Sequence, residues 1–276
     1  MPPDLQEVGR RGSVAGFRAV LRFLRTGGGY HAAALTYYLI LALFPGGALI
    51  YALLGIFGAE SAIDDTAEEL AERGFDQVYV NAARETIKAA VTQHSGEALI
   101  VVAISVVAAI YVASQWVRGV GRGLDAVLER PHTPAGLSRD LRDALALLLL
   151  FSAAMLLQFA GGRIATNVFG DASLLRQGAA YLLAAIAGTC AYAYIYAVVA
   201  APPRPPRTAL GAASVATMLL WFAATVGFRV FAERWPGYAT NYGVFATPIV
   251  GLVWLWLTNV SVLLGGTLAH ELGRRR

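Results

Sequence analysis

The sequence predicts an all-α membrane protein: a bundle of six transmembrane helices, preceded by a helix in the interface and carrying one helical outer loop. Three observations predict it. Hydrophobic residues make up 57% of the 276 residues and charged residues only 14%, where a soluble domain carries about 25%. The apolar residues fall into six runs almost free of charge, close to the roughly 20 residues needed for one crossing of the hydrocarbon core. With the N-terminus placed inside, 15 of the 22 Lys and Arg residues lie on the same side, the bias expected of cytoplasmic segments.

Residues 1–30 form a cytoplasmic N-terminus with Arg10, Arg11, Arg18, Arg22 and Arg25 and no continuous apolar stretch, so no cleavable signal peptide is visible. Within it, Val14, Phe17, Val20, Leu21 and Leu24 share one helical face and Arg18, Arg22 and Arg25 another. That division suits a helix in the membrane interface, and equally a helix packed on the protein.

The transmembrane domain extends over 31–272. Its predicted spans are 31–57, 99–116, 141–159, 174–199, 209–230 and 244–264. The cytoplasmic connections are then 117–143 and the Pro-rich turn 200–208, and the basic tail 273–276 is also inside. Outside, residues 60–97 hold nine acids against three bases, a local charge of −6. Helical spacing of Ile63, Ala67 and Leu70, and of Val80, Ala83, Ile87 and Val91, predicts two short amphipathic helices broken near Gly74.

Polar groups inside the spans are the candidate site. Thr36, Tyr37, Gln115, Gln158, Tyr192, Tyr196 and Asn259 lie in or beside apolar runs. Unpaired polar groups are costly in hydrocarbon, so these side chains are expected to face protein or water. Pro45, followed by Gly46 and Gly47, interrupts the first span. Proline removes a backbone donor and kinks a helix. Such a break serves a cavity-facing site in transporters, or simply lets a neighbouring helix approach at the glycines. Tyr192 and Tyr196 are four apart and share a face, which Tyr194 does not. Tyrosines near span ends also serve as interfacial belt residues.

Charged residues are nearly absent from the span centres, which argues against a proton relay built on a buried acid. Asp125 can pair with Arg118 or Arg122 at the cytoplasmic boundary, an ordinary ion pair at a helix end. His31, His132 and His270 fall on the cytoplasmic side and His94 outside, without the local spacing of a metal site. No nucleophile elbow, phosphate-binding loop or paired-cysteine motif is present, and Cys190 stands alone in an apolar run. No catalytic residue, metal or cofactor is expected. Arginines beside apolar runs indicate lipid headgroups rather than nucleic acid as partners.

Two segments carry a recognisable pattern, Ala33–Gly55 and Asn241–Leu272. Their specific pieces are Tyr37-Tyr38 followed by Phe44-Pro45, then Tyr242-Gly243, and the Trp254-Leu255-Trp256 run ending in Gly265-Gly266. Together with the Tyr-rich fourth span and the Pro-rich turn, they resemble the YihY/BrkB family of inner-membrane proteins. Ala42 departs from the family's Ser before Leu-Phe-Pro. Thr267 and Ala269 stand where the family carries an acid and an Asn, and Glu271 matches a later acidic position. The resemblance implies six transmembrane helices and an envelope association, and transfers no catalytic residue. The expectation is a transporter-like protein handling lipid or another amphipathic molecule. The alternatives are an envelope scaffold that recruits proteins through the loop 60–97 and, third, a membrane-bound hydrolase or nuclease.

Overall fold

A computed structural model describes residues 3–56, 77, 81, 97–131, 136–147, 173–199, 205–234 and 246–274. Among these residues all regular structure is helical. The elements are α1 (Pro3–Arg25), α2 (Gly28–Ile56), α3 (Glu97–Val127), α4 (137–147), α5 (Ser173–Tyr194) continued by a π-helical turn (Ile195–Val199), α6 (Arg207–Arg234) and α7 (Ala246–Gly273). The predicted outer loop falls outside the described residues, except that Gln77, Asn81 and Glu97 are helical. Gln158, His132 and the Tyr242-Gly243 pair also lie outside them.

The chain divides into two compact units, Leu39–Ala113 and Met1–Tyr38 with Ser114–Arg276. The first of these holds the later part of α2, which stays helical through Pro45, Gly46 and Gly47. It also holds the start of α3, where Ile104, Val107 and Tyr111 are exposed.

In the second unit, α7 packs against α6 and α1, and α6 against α5. Small residues set these contacts. On α1, Ala15, Ala19 and Phe23 recur every four residues and are buried. Val14, Phe17, Val20, Leu21 and Leu24, the large apolar residues of the predicted interfacial face, remain exposed. The helix therefore docks through its alanines and displays its bulk. It ends where Gly27 takes a positive φ of 70°, a conformation that costs glycine little. A Cβ on the next residue, Gly28, would overlap the Phe23 ring.

Gly265 and Gly266 mark the tightest convergence. A Cβ on Gly265 would overlap the Thr217 and Tyr196 hydroxyls, and one on Gly266 would overlap Leu124. The pair thus lets α6, the π-helical turn and α3 reach the backbone of α7, as small residues do between membrane helices.

Indole groups tie the helices further. Trp221 Nε1 donates to Thr258 Oγ1 at 3.1 Å and Trp254 Nε1 to Thr225 Oγ1 at 3.2 Å. The two rings meet edge to face at 6.2 Å. Trp256 Nε1 donates to the Gly29 carbonyl at 3.1 Å. Each buries or shields a donor that hydrocarbon would leave unsatisfied.

The unit exposes large apolar side chains and buries several small polar ones. Leu182, Ile186, Leu219, Phe222, Phe231 and Leu252 are exposed, while Thr36, Ser114, Thr217, Asn259, Ser261 and Thr267 are buried. In water that surface is unfavourable, whereas in lipid tails it is neutral; Ser261 and Thr267 bond back to carbonyls of their own helix, and Asn259 and Thr217 bond across helices. Two helical segments, Arg207–Phe231 and Ile249–Gly273, are 25 residues long and apolar enough to cross a membrane, about 37 Å at the helical rise. The apolar segment Ala185–Val199 is shorter.

The helices differ from the predicted spans mainly at one end. α3 continues from the predicted limit at Trp116 to Val127, and α7 from Leu264 to Gly273. Hydropathy marks the edge of an apolar run, whereas a helix continues while its carbonyls find partners.

Candidate functional site

Three polar groupings occupy the second unit. The first gathers around Asn259, which is fully buried. Its Oδ1 accepts from Trp116 Nε1 at 3.1 Å. Its Nδ2 donates to Thr36 Oγ1 at 3.1 Å and to the Leu255 carbonyl one turn back at 3.0 Å. Thr36 in turn donates to the Ala32 carbonyl at 2.8 Å. Two predicted site residues, Thr36 and Asn259, are therefore joined directly, across α2 and α7, with α3 supplying the indole. Gln115, beside Trp116, is partly exposed. Tyr37 points outward, 61% exposed, its ring 5.8 Å from that of Tyr38.

The second grouping holds Tyr192 and Tyr196, stacked at 6.5 Å and both buried. Tyr196 begins on the π-helical turn, whose extra residue per turn redirects side chains relative to an α-helix. Its hydroxyl lies 2.9 Å from the Val262 carbonyl, to which it donates, and 2.9 Å from Thr217 Oγ1. Tyr194 points elsewhere, as its spacing predicts, and donates to Asp143 Oδ1 at 3.2 Å. Arg139 Nη2 donates to the Val198 carbonyl at 3.0 Å, filling an acceptor on the widened turn.

The third grouping is charged, and it lies at the end where α1 stops and α7 finishes. Arg22 bridges two carboxylates there: Glu271 Oε1 at 3.2 Å and Glu129 Oε2 at 3.5 Å. Its Nη1 also donates to the Leu128 carbonyl at 3.4 Å. Glu271 is buried and also meets Arg274 at 3.5 Å. Glu129 sits at φ 54°, a left-handed conformation rare for a residue with a Cβ. The Arg130 N–H closes that turn on the Asp125 carbonyl at 2.8 Å. Burial pushes the Arg130 guanidinium down, Asp125 raises it and Arg22 lowers it. Arg130 Nη2 lies 2.8 Å from His270 Nδ1. A guanidinium only donates, so this Nδ1 is an acceptor and His270 is neutral in this arrangement.

A cleft of about 550 Å³ is lined by Arg18, Arg22, Arg25 and Arg274 together with Glu129 and Glu271. Arg18 and Arg25 are exposed, and neither has a carboxylate partner among the described residues. Arg18, Arg22 and Arg25 follow helical spacing on α1, the signal by which the sequence marked a polar face; their meeting with Glu129 and Glu271 had no such signal. On α3, Arg118 reaches Asp140 of α4 at 2.6 Å.

Long apolar helices whose exterior carries large apolar side chains define an all-helical membrane protein. Its sequence matches the family described as Virulence factor BrkB over residues 19–276, and the chain belongs to that family. It is similar to a "UPF0761 membrane protein" of Pseudoalteromonas atlantica, 25% identical over 247 residues covering 87% of this chain and 79% of the relative. A Pseudomonas aeruginosa protein of the same description is 26% identical over 253 residues, covering 89% of this chain. A third, from Chromohalobacter salexigens, is 28% identical over 251 residues. The chain spans 59% of the P. aeruginosa relative and 60% of the C. salexigens one. No solved structure matches.

Proposed function

We propose that this membrane protein handles lipid or another amphipathic molecule in the manner of a transporter, in a bacterial inner membrane with both termini cytoplasmic. One observation carries the reading: α5, α6 and α7 present an apolar exterior, and the end of α7 borders an arginine-rich cleft. Large apolar side chains are exposed on α5, α6 and α7, and the buried carboxylates Asp140, Asp143 and Glu271 each pair with an arginine. The test is reconstitution into liposomes with a fluorescent lipid and a membrane-impermeant quencher. Transport predicts quenching of inner-leaflet lipid above the level of empty vesicles; equality with empty vesicles refutes it.

A second reading, a non-transport envelope scaffold acting through the acidic loop 60–97, is favoured by the closed bonding around Asn259. Every polar atom of that side chain is occupied by Trp116, Thr36 or Leu255, as in packing rather than in a substrate path. Here Asn259→Ala separates the two. A path residue alters lipid movement in folded protein, whereas a packing residue alters only the stability.

A further inference from the structure

We propose that the cleft at the foot of α1 binds the phosphate group of an anionic lipid, with Arg18 and Arg25 as the ligand-facing cations. The charges border one cavity: four arginines against two glutamates. Two of the arginines are already engaged, Arg22 with Glu271 and Glu129 and Arg274 with Glu271. The cleft therefore keeps an excess of two positive charges, of which the single charge of a lipid phosphodiester offsets one. Guanidinium groups match phosphate oxygens through paired N–H donors. At about 550 Å³ the cleft also has the room of a small-molecule site.

The source of the phosphate follows from what adjoins it. Leu21 lines the cleft, and Phe17 and Leu24 on the same helix are 66% and 67% exposed. An acyl chain covers such side chains; a free phosphate ion leaves them bare. Glu271 and Glu129 act as positioning residues. Glu271 is buried, and Glu129, at a positive φ, meets Arg22 at 3.5 Å. Together they fix Arg22 between Arg18 and Arg25 on the face of α1, so that the two unengaged guanidiniums stand on either side of a neutralised one.

This inference rests on the lipid-handling reading for the source of the ligand, and it is read as equilibrium binding, so that absence of lipid movement and absence of this site are separate results. The experiment reconstitutes the full chain into phosphatidylcholine vesicles and follows spin-labelled phosphatidylglycerol at the protein surface by its motionally restricted fraction. Spin-labelled phosphatidylcholine is the reference. The wild type is expected to favour phosphatidylglycerol, and less so as salt is raised. Arg18→Gln and Arg25→Gln are each expected to weaken that lipid about fivefold, and the double variant about thirtyfold. The Arg18→Lys/Arg25→Lys variant keeps most of the preference. Both positions are exposed, and unchanged thermal unfolding of the glutamine variants verifies that they fold. Equal binding of the two lipids by the wild type, or an undiminished preference in the double glutamine variant, overturns the proposal. Complete displacement of the labelled lipid by millimolar inorganic phosphate also overturns it, since the ligand is then the free ion.

Discussion

Replacing Gly265 with alanine tests whether the convergence on α7 is real. The added Cβ has no room, because it meets Thr217 Oγ1 and the Tyr196 hydroxyl. Relieving the overlap means moving α6 or the π-helical turn, at a cost of about 1–3 kcal/mol for overpacking. The move also breaks the Tyr196 contacts to Thr217 and Val262, both 2.9 Å, worth about 0.6 kcal/mol each between membrane helices. Alanine recovers about 1 kcal/mol of helix propensity over glycine. The expected balance is a loss of about 1–3 kcal/mol. Gly211 on α6 is the internal control, since nothing lies within 4 Å of a Cβ there. Gly211→Ala is then neutral or stabilising by up to about 1 kcal/mol. Reversible unfolding of purified protein in mixed micelles, followed by tryptophan fluorescence, measures both. Equal stability of Gly265→Ala and wild type refutes the reasoning, and so does an equal loss in the Gly211 control.

Three further outcomes follow from the same contacts. Asn259→Ala strands the Trp116 indole N–H and removes the link to Thr36, for a loss of about 1–2 kcal/mol in the same unfolding assay. Glu271→Ala takes the carboxylate from both Arg22 and Arg274. Since Glu271 is buried but Arg22 keeps 20% of its side chain exposed, the expected loss is about 1–3 kcal/mol, with increased protease cleavage at the α1–α2 junction. Glu129→Gly relieves the left-handed backbone, worth about 1 kcal/mol, and gives up an ion pair whose carboxylate is 71% exposed, worth at most about 1 kcal/mol. Thermal unfolding is expected unchanged or slightly raised, and a marked fall contradicts the strain argument.

The sequence by itself determined the class. Long apolar runs cannot end as anything but helices in lipid, because the backbone must bond within its own segment. The Tyr, Trp and Gly pattern, read locally, was enough to point to the family that the match over residues 19–276 shows. Helical spacing also placed Tyr192 with Tyr196 and set Tyr194 apart, since a period near 3.6 fixes which residues share a face. Partnership across helices is what only the tertiary structure decided. Thr36 and Asn259 are 223 positions apart and hydrogen-bonded, and Arg22 meets Glu271 from the opposite end of the chain. Periodicity carries the direction of a side chain but nothing about which helix stands opposite. That choice follows from where small residues, such as Ala15, Ala19, Gly265 and Gly266, let backbones approach. The Gly-Gly pair was visible as a motif in the chain, and only packing revealed that α6, the π-helical turn and α3 close on it.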